Sequence, residues 1–149
     1  QEDGQPTYIT TIVLKGQGIV DGGVRKFLDD IVVYRYADLL LLKAEAKNAL
    51  GQDPSDELNQ IRQRAYGDQF SNFAFVNSSQ AENDDAILQE RLLEFAFEAK
   101  RWWDLVRFDK AFELVPSLQG RESEQHLLYW PVTLQTISLN SKVVQTEGY

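Results

Sequence analysis

A chain of 149 residues has the length of about one domain, and 43% hydrophobic residues are ample for a core. A formal net charge of −8 with an isoelectric point near 4.6 repels phosphate backbones and anionic lipid surfaces, which argues against nucleic acid as a partner and leaves neutral sugars allowed. With no cysteine there are no disulfides or thiolate metal sites, and no apolar run reaches the ~18–20 residues of a membrane span.

Residues 1–30 are polar and glycine-rich. Thr7–Lys15, with Tyr8, Ile12 and Val13 as β-formers, predicts a short strand followed by loop. The stretch from Gly16 to Gly23 invites comparison with a dinucleotide fingerprint. Asp21 stands where the third glycine should be and no helix opens after it, so it reads as a glycine-rich turn.

From Tyr34 to Leu50 a helical period sets in, and Gly51 ends it as a left-handed stop. Asp53-Pro54 restarts a helix with an N-cap and a proline at the first position, running from Pro54 to Tyr66 and closed by Gly67. Leu58, Ile61 and Ala65 mark its inner face. The outer face, with Asp56, Glu57, Asn59, Arg62 and Arg64, reads as solvated. Ala37, Ala44, Ala46 and Ala49 in the first helix permit close approach of a neighbour, the pairing of tetratricopeptide hairpins, although the ~34-residue period is not kept.

The stretch Gly67–Asn83 carries Phe70, Phe73 and Phe75 among polar residues. These three could stack on sugar rings or pin the loop to the helices. Clasping is favoured, because phenylalanine gains most from burial and has no polar handle for sugar hydroxyls.

Asp84–Phe112 holds the strongest helical period and the densest aromatics. Leu88, Leu92, Phe95, Ala96, Ala99, Trp103 and Val106 recur at steps of three and four, predicting one broad apolar face behind an Asp84-Asp85 cap. Arg91, Glu94, Glu98, Arg101, Asp104 and Arg107 then form a salt-linked, solvent-facing side. Leu93 and Phe97 lie outside the stripe, so more than one neighbour must cover this run. Adjacent tryptophans on a helix diverge by about 100°, and the reading places both Trp102 and Trp103 in the core, Trp103 the more firmly. Beyond Pro116 the chain turns loop-like, with Leu134, Ile137 and Leu139 as expected anchors across the helices.

The strings from Tyr34 to Gly51, Leu58 to Ala65 and Glu90 to Ala111, with the terminal Thr-Glu-Gly-Tyr at 146–149, resemble in order the C-terminal region of the SusD/RagB family. The resemblance covers roughly residues 24–149. It implies a mainly α, SusD-like fold of tetratricopeptide-type helical hairpins, with a short N-terminal strand and a loop-rich C-terminal tail. Members are several times longer, so residues 1–149 are expected to be the C-terminal portion of a SusD-like domain within a larger protein. The start at Gln1 and the lack of any methionine fit that expectation. The resemblance further implies a non-catalytic, lipid-anchored glycan-binding protein of the bacterial outer membrane, which hands oligosaccharides to a TonB-dependent transporter and uses no cofactor. One departure concerns the Glu-Gly that the family usually carries before its basic-aromatic stretch. Here it is Glu98-Ala99, so the glycine expected at the helix break is absent.

Among chemical readings, His126 is a lone histidine in an acidic loop and cannot supply the three or four ligands that zinc needs. Glu94 and Glu98, four apart on a helix, would stand about 6 Å apart, a spacing compatible with a glycosidase pair. Arg91 and Arg101 flank them and would depress both acids rather than raise one, which disfavours catalysis. The ligand-binding candidates are Phe70, Phe73, Phe75 and Trp102; the resemblance places most ligand contacts outside these residues. The alternative function is a tetratricopeptide-like protein–protein interaction module without a sugar site.

Overall fold

The structure, a computed structural model, describes residues 15–28, 30 and 32–149. The chain divides into two compact units, Gln1–Arg35 and Tyr36–Tyr149.

In the first unit, β1 (Ile19–Asp21) and β2 (Val24–Lys26) pair antiparallel, Ile19 opposite Lys26 and Asp21 opposite Val24. Gly22 and Gly23 make the two-residue turn at φ of 57° and 79°, the left-handed pair that a tight hairpin requires. The glycine-rich turn is therefore the tip of a hairpin whose three-residue strands are too short to register as a period. The strand expected over Thr7–Lys15 lies, apart from Lys15, outside the described residues.

The second unit begins with the expected helical hairpin. α1 (Tyr36–Ala49) stops at Gly51, whose φ is 70°, and α2 (Ser55–Tyr66) opens where Asp53 Oδ1 accepts from the Ser55 backbone N–H at 2.8 Å. Leu40, Leu41 and Ala44 from α1 meet Leu58 and Ile61 from α2 and Ile87 from the next helix in a first core cluster, with Phe75 and Phe95. Full burial of Leu41, Leu58 and Ile87 contributes about 1.5–3 kcal/mol each.

After a 3-10 helix at Gly67–Asn72, α3 runs from Gln80 to Glu94. Its start differs from the expected Asp84-Asp85 cap. Ser79 is the N-cap and closes a capping box with Glu82, while Asp84 accepts a side-chain hydrogen bond from Asn48 at 2.7 Å. The Ser-x-x-Glu pairing satisfies two orphan amide donors, which an acidic pair one turn later cannot reach. Asn48 and Asn83, both buried, are hydrogen-bonded at 2.9 Å and tie the end of α1 to the start of α3.

The break expected from the family pattern is present despite the missing glycine. α3 ends at Glu94, the chain turns through residues 95–99 with Phe97 at φ 65° and Ala99 at φ 57°, and α4 (Arg101–Arg107) starts afresh. This interruption overturns the single stripe. Leu105 points into a second core cluster with Leu88, Ala111 and Phe112 of α5 (Ala111–Leu114), Leu118 and Leu128, whereas Trp103 is 59% exposed and Leu92 is also on the surface. Phe108 packs on both clusters and joins them.

The tail is ordered and includes α6 (Leu134–Leu139), capped by Thr133 Oγ1, which accepts from the Thr136 N–H. Leu134 and Leu139 face outward rather than anchoring it, and Ile137 is only half-buried. The C-terminal end is held instead by Tyr149, whose hydroxyl donates to the Tyr129 carbonyl at 2.9 Å and whose ring meets His126 edge-on at 5.0 Å. Gly148 lies so close to His126 that a Cβ there would sit 2.5 Å from the ring, so only glycine fits.

Candidate functional site

Of the four candidate residues, three belong to the connection between α2 and α3. Phe75 is 9% exposed and sits in the first core cluster. Its backbone is clamped by Asn59 of α2, which donates to the Phe75 carbonyl at 3.0 Å and accepts from its N–H at 2.7 Å. Arg62 lies over the ring with its guanidinium carbon 5.7 Å from the centroid, and it donates to the Phe73 carbonyl at 3.0 Å. Phe75 is thus the clasp. Phe70 is half-buried in the 3-10 helix. Phe73, 42% exposed, stacks on Tyr66 at the end of α2 with ring centroids 4.2 Å apart and planes 13° from parallel. The sequence reading missed Tyr66 and Asn59, since neither lies in the aromatic loop and only the folded α2 brings them to it.

Trp102 is in the other region. It packs, partly buried, against the second core cluster, and its buried indole Nε1 has no hydrogen-bond partner among the described residues. The structure does not bring Trp102 together with the phenylalanine loop in either core cluster.

The side expected to be salt-linked and solvated is salt-linked but only partly solvated: three of its six charges are buried, while Arg107 is exposed. Arg91, Glu90, Glu94 and Asp104 are all buried, as are Asp38 of α1 and Glu57 of α2. Arg91 Nε donates to Asp104 Oδ1 at 2.7 Å, Lys100 approaches Asp38 at 3.2 Å, and Arg107 grips Glu45 with two bonds of 2.7 Å. Arg62 pairs with Glu90 and Arg64 with Glu94, so part of the outer face of α2 is tied to α3, while Asp56 and Arg64 stay exposed as expected. Helix periodicity alone cannot see this, because charges brought inside by one helix are neutralised by another. Burial pushes the Arg101 guanidinium down, and it donates to the Leu88 carbonyl at 3.0 Å.

The glycosidase geometry fails in its premise. α3 ends at Glu94, so Glu98 lies in the following turn rather than one helical turn away, and Glu94 is held by Arg64. His126 is engaged by Tyr149 rather than solvated, and among the described residues no group of three His, Cys, Asp or Glu side chains could hold a metal ion. Among the described residues no helix is long and apolar enough to cross a membrane.

A helical hairpin is followed by a helix broken before the basic-aromatic α4, and the buried Arg91–Asp104 pair ties the two sides of the break. The family model described as the SusD family matches residues 22–122. The chain belongs to the SusD family. Among relatives, it is 38% identical over 136 residues to SusD-like protein P38 of Formosa agariphila, covering 82% of this chain and 25% of that protein. To the starch-binding protein SusD of Bacteroides thetaiotaomicron it is 26% identical, covering 80% of this chain and 22% of that one. The solved structure of B. fragilis NanU matches 100% of the chain with a TM-score of 0.77 at 39% identity, while the match covers 34% of NanU. A SusD superfamily protein from Bacteroides vulgatus matches 91% of the chain with a TM-score of 0.71 at 38% identity, covering 32% of that protein. The mainly α, SusD-like fold is therefore that of the family, and this SusD-family chain spans about a quarter of the length of the curated relatives it matches.

Proposed function

We propose that these residues are the C-terminal portion of a longer, non-catalytic glycan-binding protein of the bacterial cell surface, lipid-anchored at the outer membrane, which delivers oligosaccharides to a TonB-dependent transporter. The observation that carries the reading is the match of the whole chain to a SusD-family structure at 39% identity. The relative named as a starch-binding protein supports a neutral sugar as ligand, and the chain's acidic balance is compatible with one.

On this reading, the portion in hand serves as scaffold. Sugar sites need aromatic faces together with convergent hydrogen-bonding groups that replace lost water. Of the four candidates, Phe75 is spent as a clasp, Phe70 and Trp102 are engaged in packing, and Phe73 backed by Tyr66 is the one that keeps an open face. The principal ligand contacts then lie in the rest of the longer protein. Calorimetric titration with a panel of neutral oligosaccharides tests this. Binding by the full-length protein and little or none by residues 1–149 is the expected result. Equal affinity in both would overturn the scaffold role, and release of reducing sugar by the full-length protein would overturn the non-catalytic reading.

A further inference from the structure

The run from α3 into α4 carries two incompatible arrangements. Continued as one helix, Leu88, Leu92, Phe95, Ala99, Trp103 and Val106 fall within an arc of about 80° and make a single apolar face. In the structure the helix breaks at residues 95–99, and Leu92, Ala99 and Trp103 of that face lie on the surface. The break is unfavourable in backbone terms as well. Phe97 and Ala99 stand at φ of 65° and 57°, a region that L-residues enter only at a cost, and alanine is the residue that most favours a helix. Apolar spacing and backbone preference both favour an unbroken helix here.

The broken arrangement gains links that a continuous helix cannot make. Arg91 reaches Asp104 at 2.7 Å and Arg101 reaches the Leu88 carbonyl at 3.0 Å, each across thirteen positions of sequence. In an unbroken helix thirteen positions span about 20 Å. Lys110 lies 3.6 Å from Asp85, still nearer the start of α3. That last contact is exposed, whereas the Arg91–Asp104 pair is buried, so the buried pair carries most of the hold. We propose that residues 95–99 are a two-state element: the segment from Gln80 to Arg107 has a second arrangement as one continuous helix, and the buried Arg91–Asp104 pair is the latch that holds the broken one. Opening the latch has a defined consequence. α4 swings away from α1, because Lys100 and Arg107 then give up Asp38 and Glu45, which they contact at 3.2 and 2.7 Å. A packed element with two discrete arrangements turns a local loss of charge pairing into a movement of this size.

The test uses the full-length protein, spin-labelled through Asp85→Cys and Asp109→Cys at two exposed positions, with the distance read by double electron–electron resonance. In the latched form the labels are neighbours, within about 20 Å, because Lys110 lies against Asp85, and a helix continuous to Arg107 places them beyond about 30 Å. The expected result is the short distance without further substitution and a major long-distance population in Asp104→Asn, which keeps the side chain's shape and removes its charge. Adding Ala99→Gly, which favours the left-handed turn and weakens the helix, should restore the short distance. Helical circular dichroism separates the switch from simple unfolding, since the continuous helix adds helical residues and raises the signal. A short distance kept in Asp104→Asn overturns the proposal, and so does a long one that Ala99→Gly leaves unchanged. A broadened distance with a fall in helical signal also overturns it, because the pair then only holds the fold together.

Discussion

Arg91 and Asp104 form a buried ion pair across the break between α3 and α4, with the Arg91 Nε donating to Asp104 Oδ1 at 2.7 Å and both side chains at most 4% exposed. Asp104 also accepts from Arg107 at 3.3 Å. Removing one partner of such a pair leaves a charge buried without compensation. Asp104→Ala is therefore expected to lower stability by about 3–5 kcal/mol. Equilibrium urea unfolding measures it. A loss below about 1 kcal/mol would mean that Asp38, 3.9 Å from Arg91, carries the compensation instead.

Glu57 gives the hairpin a pH dependence of definite sign. Burial pushes its carboxyl up, but hydrogen bonds from Lys43 and Lys47 and from its own backbone outweigh that and hold it below the usual glutamate value. A lowered folded value stabilises the fold above the unfolded value near 4.5, and that stabilisation is lost as pH falls through the folded one. The thermal midpoint should fall between pH 5 and the acid limit, and less steeply in Glu57→Gln. Asp53 and Glu82, lowered by hydrogen bonds from Ser55 and from Ser78 and Ser79, account for residual decline in the variant. Parallel pH profiles for the two proteins would sink the assignment to Glu57.

Ala99 occupies the left-handed region at φ 57°, which glycine adopts without strain. That conformation costs an alanine about 1–2 kcal/mol, partly offset by the greater freedom a glycine loses on folding. Ala99→Gly is expected to stabilise the protein by about 0.5–1 kcal/mol, a rise of a few degrees in the melting midpoint. A fall on substitution would show that the Ala99 methyl makes contacts worth more than the strain.

The two tryptophans separate packing from surface. Trp102 lies against the second core cluster, so Trp102→Ala is expected to cost about 3 kcal/mol, while Trp103→Ala, at a largely exposed position, should cost under about 1 kcal/mol. Thermal unfolding followed by circular dichroism distinguishes them, and equal losses would contradict the packing of Trp102 and the exposure of Trp103.

The helical hairpin was legible because glycine stops act within a few residues, as Gly51 and Gly67 bear out; the start is shifted by one residue, with Pro54 at the N-cap position and Asp53 accepting from the Ser55 N–H just before it. The capping box at Ser79 and Glu82 was equally local, yet it lay in the polar stretch from Gly67 to Asn83 that was read as loop. The position of Trp103 was not legible, since a period extrapolated across residues 95–99 presumes an unbroken helix. Nor was the burial of Glu57, Glu90 and Asp104: a charge reads as solvated until its partner from another helix is placed beside it. The candidate aromatics split for the same reason, because Asn59 and Tyr66 reach the loop only through the fold.

That split gives the last prediction. Phe75 fills the first core cluster and its backbone is clamped by Asn59, so Phe75→Ala should cost about 3–4 kcal/mol and blur any binding measurement with loss of fold. Phe73 gives up only its stack on Tyr66, a contact of about 0.5–1.5 kcal/mol, together with partial burial. Phe73→Ala should therefore keep the fold and serve as the clean probe of this surface. In the full-length protein, glycan affinity unchanged by Phe73→Ala is the expected outcome if the loop is scaffold. A tenfold loss, about 1.4 kcal/mol, at unchanged urea midpoint would instead assign Phe73 and Tyr66 a direct place against the sugar.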